Sequence, residues 1–269
     1  MSIFFLELRV SRRSALIWTL FISAVIFLML SFYPSMKTEA MQALADAKLE
    51  SISPAVLAVL GLSAIPDFTV ITNFFGYILQ FIVLAFAVFA VHNAVRLLVK
   101  EEGEGTVEFL YSKPVSRTDI FIQKTLSHLA VCTAMLLCFA AVTVCGYMLF
   151  SDFSFAGAVY ESLIFYSSVL FIISVFSSAG LFMSAVLKNS RASSSAAIGI
   201  VFGTFVLGAV SAAAENLDFL IYFSPMDWIK VQKLMTYGIR PAELIAGLLI
   251  CIVFPAAACR VYIKKDLLC

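Results

Sequence analysis

Six stretches of this sequence are each long and apolar enough to cross a lipid bilayer: roughly 15–33, 71–99, 124–150, 158–187, 193–214 and 242–263. About 20 residues of helix cross the hydrocarbon core, so the shortest just reach, while the second and fourth must tilt or protrude. None alternates apolar and polar residues as a barrel strand does, and inside lipid only a helix satisfies its own backbone. The expectation is an all-α integral membrane protein of six transmembrane helices, a single domain over residues 1–269. Composition agrees: with 62% hydrophobic and only 13% charged residues, the chain lacks the charge to cover a soluble surface. A net charge of +1 and no basic stripe speak against a nucleic-acid partner.

Orientation follows from Lys and Arg. With the N-terminus inside, 13 of the 18 basic residues fall in inner segments, and only Lys37, Lys48, Lys230, Lys233 and Arg240 lie outside. The positive-inside rule therefore predicts both termini in the cytoplasm. The first span is too long for a signal h-region and no small-residue cleavage site follows it, so it reads as a retained anchor. Residues 1–14 predict an interfacial elbow helix ahead of that span. Residues 34–70 form an outer loop, with a polar helix over 40–49 and an apolar turn punctuated by Pro54 and Gly61. Residues 215–241, rich in aromatics, suit an outer or re-entrant segment.

Catalytic chemistry finds no footing. Neither a phosphate-cradling Gly-x-x-x-x-Gly-Lys-Ser/Thr loop nor a His-Glu-x-x-His pair occurs. His92 and His128 sit near the inner ends of spans, with no acidic residue expected at matching depth, and read as structural. The hydrocarbon proper holds almost no ionisable residue, which argues against proton- or sodium-coupled transport. Cys132, Cys138 and Cys145 share one helix on loosely related faces, so packing fits them better than a soft-metal site. Neither catalytic residues nor metal ligands are expected, and no pattern identifies substrate-binding residues. Small residues at Gly199, Gly203 and Gly208, or at Ser174, Ser178 and Gly180, offer two alternative faces for dimerisation.

Residues 96–117 hold the densest charge in the chain. Glu101, Gly105, Glu108 and Ser112 recur at helical spacing, Pro114 stops the pattern, and Ser116 with Asp119 forms a capping-box-like start for the third span. A built cytoplasmic helix over 100–117 is the expectation.

The run from Glu101 to Arg117, followed by Lys124, resembles the signature of ABC transporter type-2 permeases: an acidic pair leading into Gly-Thr, then Glu, a small polar residue, Pro and Ser-Arg. Ser224-Pro225 after an aromatic pair and the basic-Asp ending Tyr262 to Asp266 are weaker echoes of the same family. Tyr111 departs from it, since an aliphatic residue is usual there, as does Lys264-Lys265 in place of arginines. The resemblance implies a permease subunit of an exporter in a bacterial cell membrane. It would bind no cofactor itself, pair with a separate ATPase subunit that carries ATP and Mg, and assemble with a second permease copy or a sister permease. It further implies that Glu101, Glu102, Gly105, Thr106, Glu108, Pro114 and Arg117 form the site that couples to the ATPase. Two other readings stay open: a membrane-embedded enzyme such as an intramembrane hydrolase, and a non-transporting membrane partner of an ATPase.

Overall fold

A computed structural model describes residues 2–38, 67–104, 115–187, 192–213, 217–229 and 238–264, with a few isolated positions between them. Six of its helices are long and apolar enough to span a membrane: α1 (Ile3–Ser31), α3 (Ile71–Glu104), α4 (Arg117–Phe150), α5 (Phe155–Val186), α6 (Ser193–Ala213) and α7 (Pro241–Lys264). A four-residue helix, α2 (Tyr33–Met36), follows α1, and two 3-10 turns, Asp218–Phe223 and Pro225–Ile229, lie between α6 and α7. Among the described residues there is no strand.

The helices form a bundle around a central pair. α3 and α5 pack along each other, and 61% of the apolar window of each is buried. The other spans form the rim: α1 on α4, α6 on α3, and α7 on α5. Close contact between the central pair depends on small side chains. A β-carbon at Gly180 of α5 would stand 2.8 Å from the Ala94 β-carbon and 3.2 Å from the Val91 carbonyl oxygen of α3. Lipid chains are as apolar as leucine, so helices in a membrane gain little from hiding apolar surface and much from this kind of close packing.

Two expectations change. Residues 1–14 do not form a separate elbow, because Ile3–Ser31 is one unbroken helix. Nothing between Ile3 and Ser31 breaks a helix, as the stretch has neither Gly nor Pro. The second span likewise does not end at residue 99; its helix runs on through Glu104. At 34 residues each, α3 and α4 are about 50 Å long against a hydrocarbon core of about 30 Å. Their surplus lies at one end, where Arg96–Glu104 leaves α3 and Arg117–Lys124 opens α4. This basic end of the bundle carries Glu101, Glu102 and Arg117 of the expected coupling residues. Residues 40–49 and 54–61 of the expected outer loop fall almost wholly outside the described residues.

At the opposite, far end the chain between α6 and α7 folds back onto the bundle. Trp228 is fully buried and donates its indole N–H to the Ile221 carbonyl at 3.0 Å. Ser224 donates to the buried Asp227 carboxylate at 2.6 Å, and both side chains press against Gly208 of α6, where a β-carbon would collide with them. Gly208 lies five residues before the end of α6, so the segment reaches about 7 Å back along that helix.

Candidate functional site

The residues singled out from the sequence cluster at the basic end, and the structure describes them unevenly. Glu101 and Glu102 lie on the last turn of α3, continuous with the second span. Gly105, Thr106, Glu108 and Pro114 lie outside the described residues. Arg117 opens α4, and its guanidinium donates to the Ile263 carbonyl at 3.0 Å, tying the start of α4 to the end of α7. Beside it the expected cap is complete. Ser116 Oγ accepts from the Asp119 backbone N–H at 3.1 Å, and the Asp119 carboxylate accepts from the Ser116 backbone at 3.3 Å. This reciprocal pairing satisfies two amide groups that the first turn of a helix otherwise leaves without partners.

Beneath that surface lies a polar knot that joins four helices. Lys124 of α4 is fully buried; its ammonium meets the Glu7 carboxylate of α1 at 3.0 Å and donates to the Leu97 carbonyl of α3 at 2.8 Å. One turn along α4, His128 Nε2 lies 2.9 Å from Ser177 Oγ of α5. The Leu98 backbone N–H of α3 donates to Ser184 Oγ of α5 at 2.9 Å. An apolar cluster of Leu98, Phe121, Ala185, Ala258 and Tyr262 adds α7 to the same end. Both ends of the chain stretch that joins α3 to α4 are thus rooted in side chains that grip the rest of the bundle. A displacement of that stretch has a physical route into α1, α5 and α7.

Sequence reasoning missed Glu7, Lys124 and Ser184 as members of this knot. Lys124 reads as one more basic residue of a solvated segment, although it is buried. The usable signal is Glu7, a lone carboxylate in an apolar helix, which requires a partner. The view that no acid lies level with the histidines also fails, since Glu7 and His128 line one cavity. Glu161 is one of the few ionisable groups within the spans: it sits in α5 and accepts from the Thr72 hydroxyl of α3 at 2.7 and 2.9 Å.

The cysteines do not converge. Cys132 is buried, whereas Cys138 and Cys145 are exposed on other faces of α4. Among the described residues no group of three or more His, Cys, Asp or Glu is placed to hold a metal ion.

Comparison with known proteins adds two findings. A family model described as "ABC-2 family transporter protein" matches residues 1–267. No curated protein matches the chain.

Proposed function

The chain belongs to the ABC-2 transporter family, and from that premise we propose that it is the permease subunit of an ATP-driven exporter in a bacterial cell membrane. Membrane proteins of this family partner with ATPase subunits in ABC transporters. In this reading the ATPase is a separate chain that carries ATP and Mg, and two permeases, identical or sister, line the path between them. The connection from Glu101 to Arg117 is the docking element, with charged side chains setting register at a wet interface. The observation that carries the coupling half of the proposal is the knot beneath it. Lys124 holds α1 and α3 to α4 just where the docking element joins the spans, so ATPase motion is passed on as movement of packed helices rather than absorbed in a loop.

The test is co-purification with a candidate ABC ATPase subunit, together with transport into vesicles. Reversing Glu102 and Glu108 to Lys is expected to release the ATPase while leaving membrane insertion intact. Pro114→Ala is expected to keep binding but uncouple hydrolysis from transport. If both variants transport at wild-type rates and expression, the connection is no docking element. Reporter fusions check the orientation on which this depends: fusions at Gly105 and Lys188 should stay inside, and those at Lys37 and Asp152 should be exported.

A further inference from the structure

The seam between α4 and α5 turns polar towards the far end of the bundle. Thr143 of α4 and Tyr166 of α5 are both buried, and their hydroxyls share a hydrogen bond at 2.7 Å. The two helices run antiparallel on either side of a short connection, so one turn nearer the far end Tyr147 comes opposite Ser162. Both of these side chains are buried as well, yet among the described residues neither hydroxyl has a hydrogen-bond partner. No other buried side-chain nitrogen or oxygen of the described residues is left in that state.

A third polar group belongs to the same place. The Phe75 ring of α3 lies 5.7 Å from that of Tyr147 and 6.0 Å from that of Phe165, so α3, α4 and α5 meet at this level. One turn from Phe75, Thr72 donates to the Glu161 carboxylate, and Glu161 is in turn an ionisable neighbour of Tyr147. Thr72 has a single O–H to give, whereas a carboxylate can accept about four hydrogen bonds. Among the described residues no cation pairs with Glu161. Two buried donors without acceptors therefore stand beside an acceptor with capacity to spare. An unbonded hydroxyl in the interior is costly, and so is a carboxylate in a span without partners. Glu161 itself is half-buried and sits about 9 Å along α5 from its far-end start, within reach of the aqueous phase.

We propose that Tyr147, Ser162 and Glu161 form a binding site for an internal water at the far end of the α4–α5 seam. Such a water typically makes about three hydrogen bonds, to groups otherwise without partners. Here both hydroxyls donate to its oxygen and it donates to the carboxylate, so no buried donor stays idle. One turn deeper, Thr143 and Tyr166 bond directly, need no water and close the seam. The far-side aqueous phase thus enters past Glu161 and stops at Tyr166. The site does not depend on the exporter reading, because it requires neither an ATPase nor a cargo.

Radiolytic hydroxyl-radical labelling of the full-length protein in phospholipid nanodiscs, read by mass spectrometry, tests it, because radicals formed from a bound water mark the side chains beside it. Tyr147 and Tyr166 are both buried and differ in their hydrogen bonding, which makes Tyr166 the internal control. Tyr147 should be labelled several-fold faster than Tyr166. Ser162→Val removes one donor and fills the space, so it should bring Tyr147 down to the level of Tyr166. Glu161→Gln keeps an acceptor and drops the charge, so labelling of Tyr147 should persist. Labelling of Tyr147 no faster than that of Tyr166 would overturn the site, and that comparison needs no variant to fold. Wild-type labelling in Ser162→Val would overturn it equally. Loss of labelling in Glu161→Gln, or a change when choline chloride replaces sodium chloride, would put a cation in place of the water and overturn it as well.

Discussion

α5 and α6 are similar sequences in different surroundings. Both are long, apolar and rich in Ser, Gly and Ala, yet 61% of the apolar window of α5 is buried against 22% for α6. In α5 the small residues are spent inside the protomer: Gly180 admits Ala94 and Val91 of α3, and Ser177 and Ser184 bond across to His128 and Leu98. In α6 nothing stands within 4 Å of a β-carbon at Gly199 or Gly203, and Ile198, Phe202 and Val206 around them are exposed. Hydropathy says only that a helix sits in a membrane. The faces of α5 and α6 diverge because small and polar side chains along most of α5 have found partners, whereas the face of α6 around Gly199 and Gly203 has not. Of the two small-residue faces that suggested a dimer, the one on α5 is consumed, which leaves Gly199 and Gly203 of α6.

The largest effect should come from the deepest member of the packed side. Lys124→Met strands the Glu7 carboxylate in a buried site, and breaking such a pair costs about 3–5 kcal/mol. Adding Glu7→Leu should recover most of that loss, because replacing a buried pair with apolar groups is often neutral. Thermal unfolding in detergent of the single and double variants measures both. A double variant as unstable as the single would mean that the Leu97 hydrogen bond, not the ion pair, holds the helices.

Next comes a direct contrast between the two helices. Gly180→Leu forces a side chain into the α3 backbone and should cost about 3 kcal/mol. Gly199→Leu meets open space and should change protomer stability by less than about 0.5 kcal/mol. If α6 faces a second permease, the same Gly199→Leu should instead shift the assembly from dimer towards monomer, read by light scattering. Equal destabilisation by the two variants would erase the distinction between α5 and α6.

α6 has one point of its own where contact is as close as in α5. Gly208→Ala would drive a methyl group into the Asp227 carboxylate and the Ser224 hydroxyl, loosening the 3-10 turns at a cost of about 1–2 kcal/mol. In a Trp18→Phe background the emission of Trp228, buried in the parent, should shift to the red. Unchanged emission would mean that the turns are held elsewhere, through the indole of Trp228 itself.

What could be read from the sequence divides along the same line. Six spans were legible because about 20 apolar residues leave no other fold, and the start of α4 was legible because Ser116 and Asp119 sit three apart and cap one another locally. The burial order of the spans was not, since α5 and α6 carry the same kinds of residue. Nor was the knot at the basic end, because Glu7 and Lys124 are 117 positions apart and their pairing is set by how α1 lies on α4. Among the coupling residues, Arg117 shows why motif and contact differ. A basic residue at that position could be expected from the pattern, but its acceptor, the Ile263 carbonyl, belongs to the last helix.

The smallest effect is expected where α5 approaches the aqueous phase at the far end. Lys37, just after α2, meets the Asp152 carboxylate, two residues before the Ser154 that caps α5, at 3.0 Å. That hydrogen bond, with the negative charge behind it, raises the Lys37 pKa above its ordinary 10.5. A raised pKa means that the folded protein holds this proton more tightly than the unfolded chain does. The contribution is therefore complete below 10.5 and disappears as the pH climbs through the higher folded value. Both side chains are largely exposed, so solvent screens the pair and little stability is at stake. Lys37→Gln should lower the melting temperature slightly and by the same amount from pH 7 to pH 10, with the gap closing above 10.5 and shrinking in high salt. A large gap that persists in salt would mean that α5 is held at its surface end as well as by the close packing at Gly180, and the contrast with α6 would then rest on more than packing in the membrane.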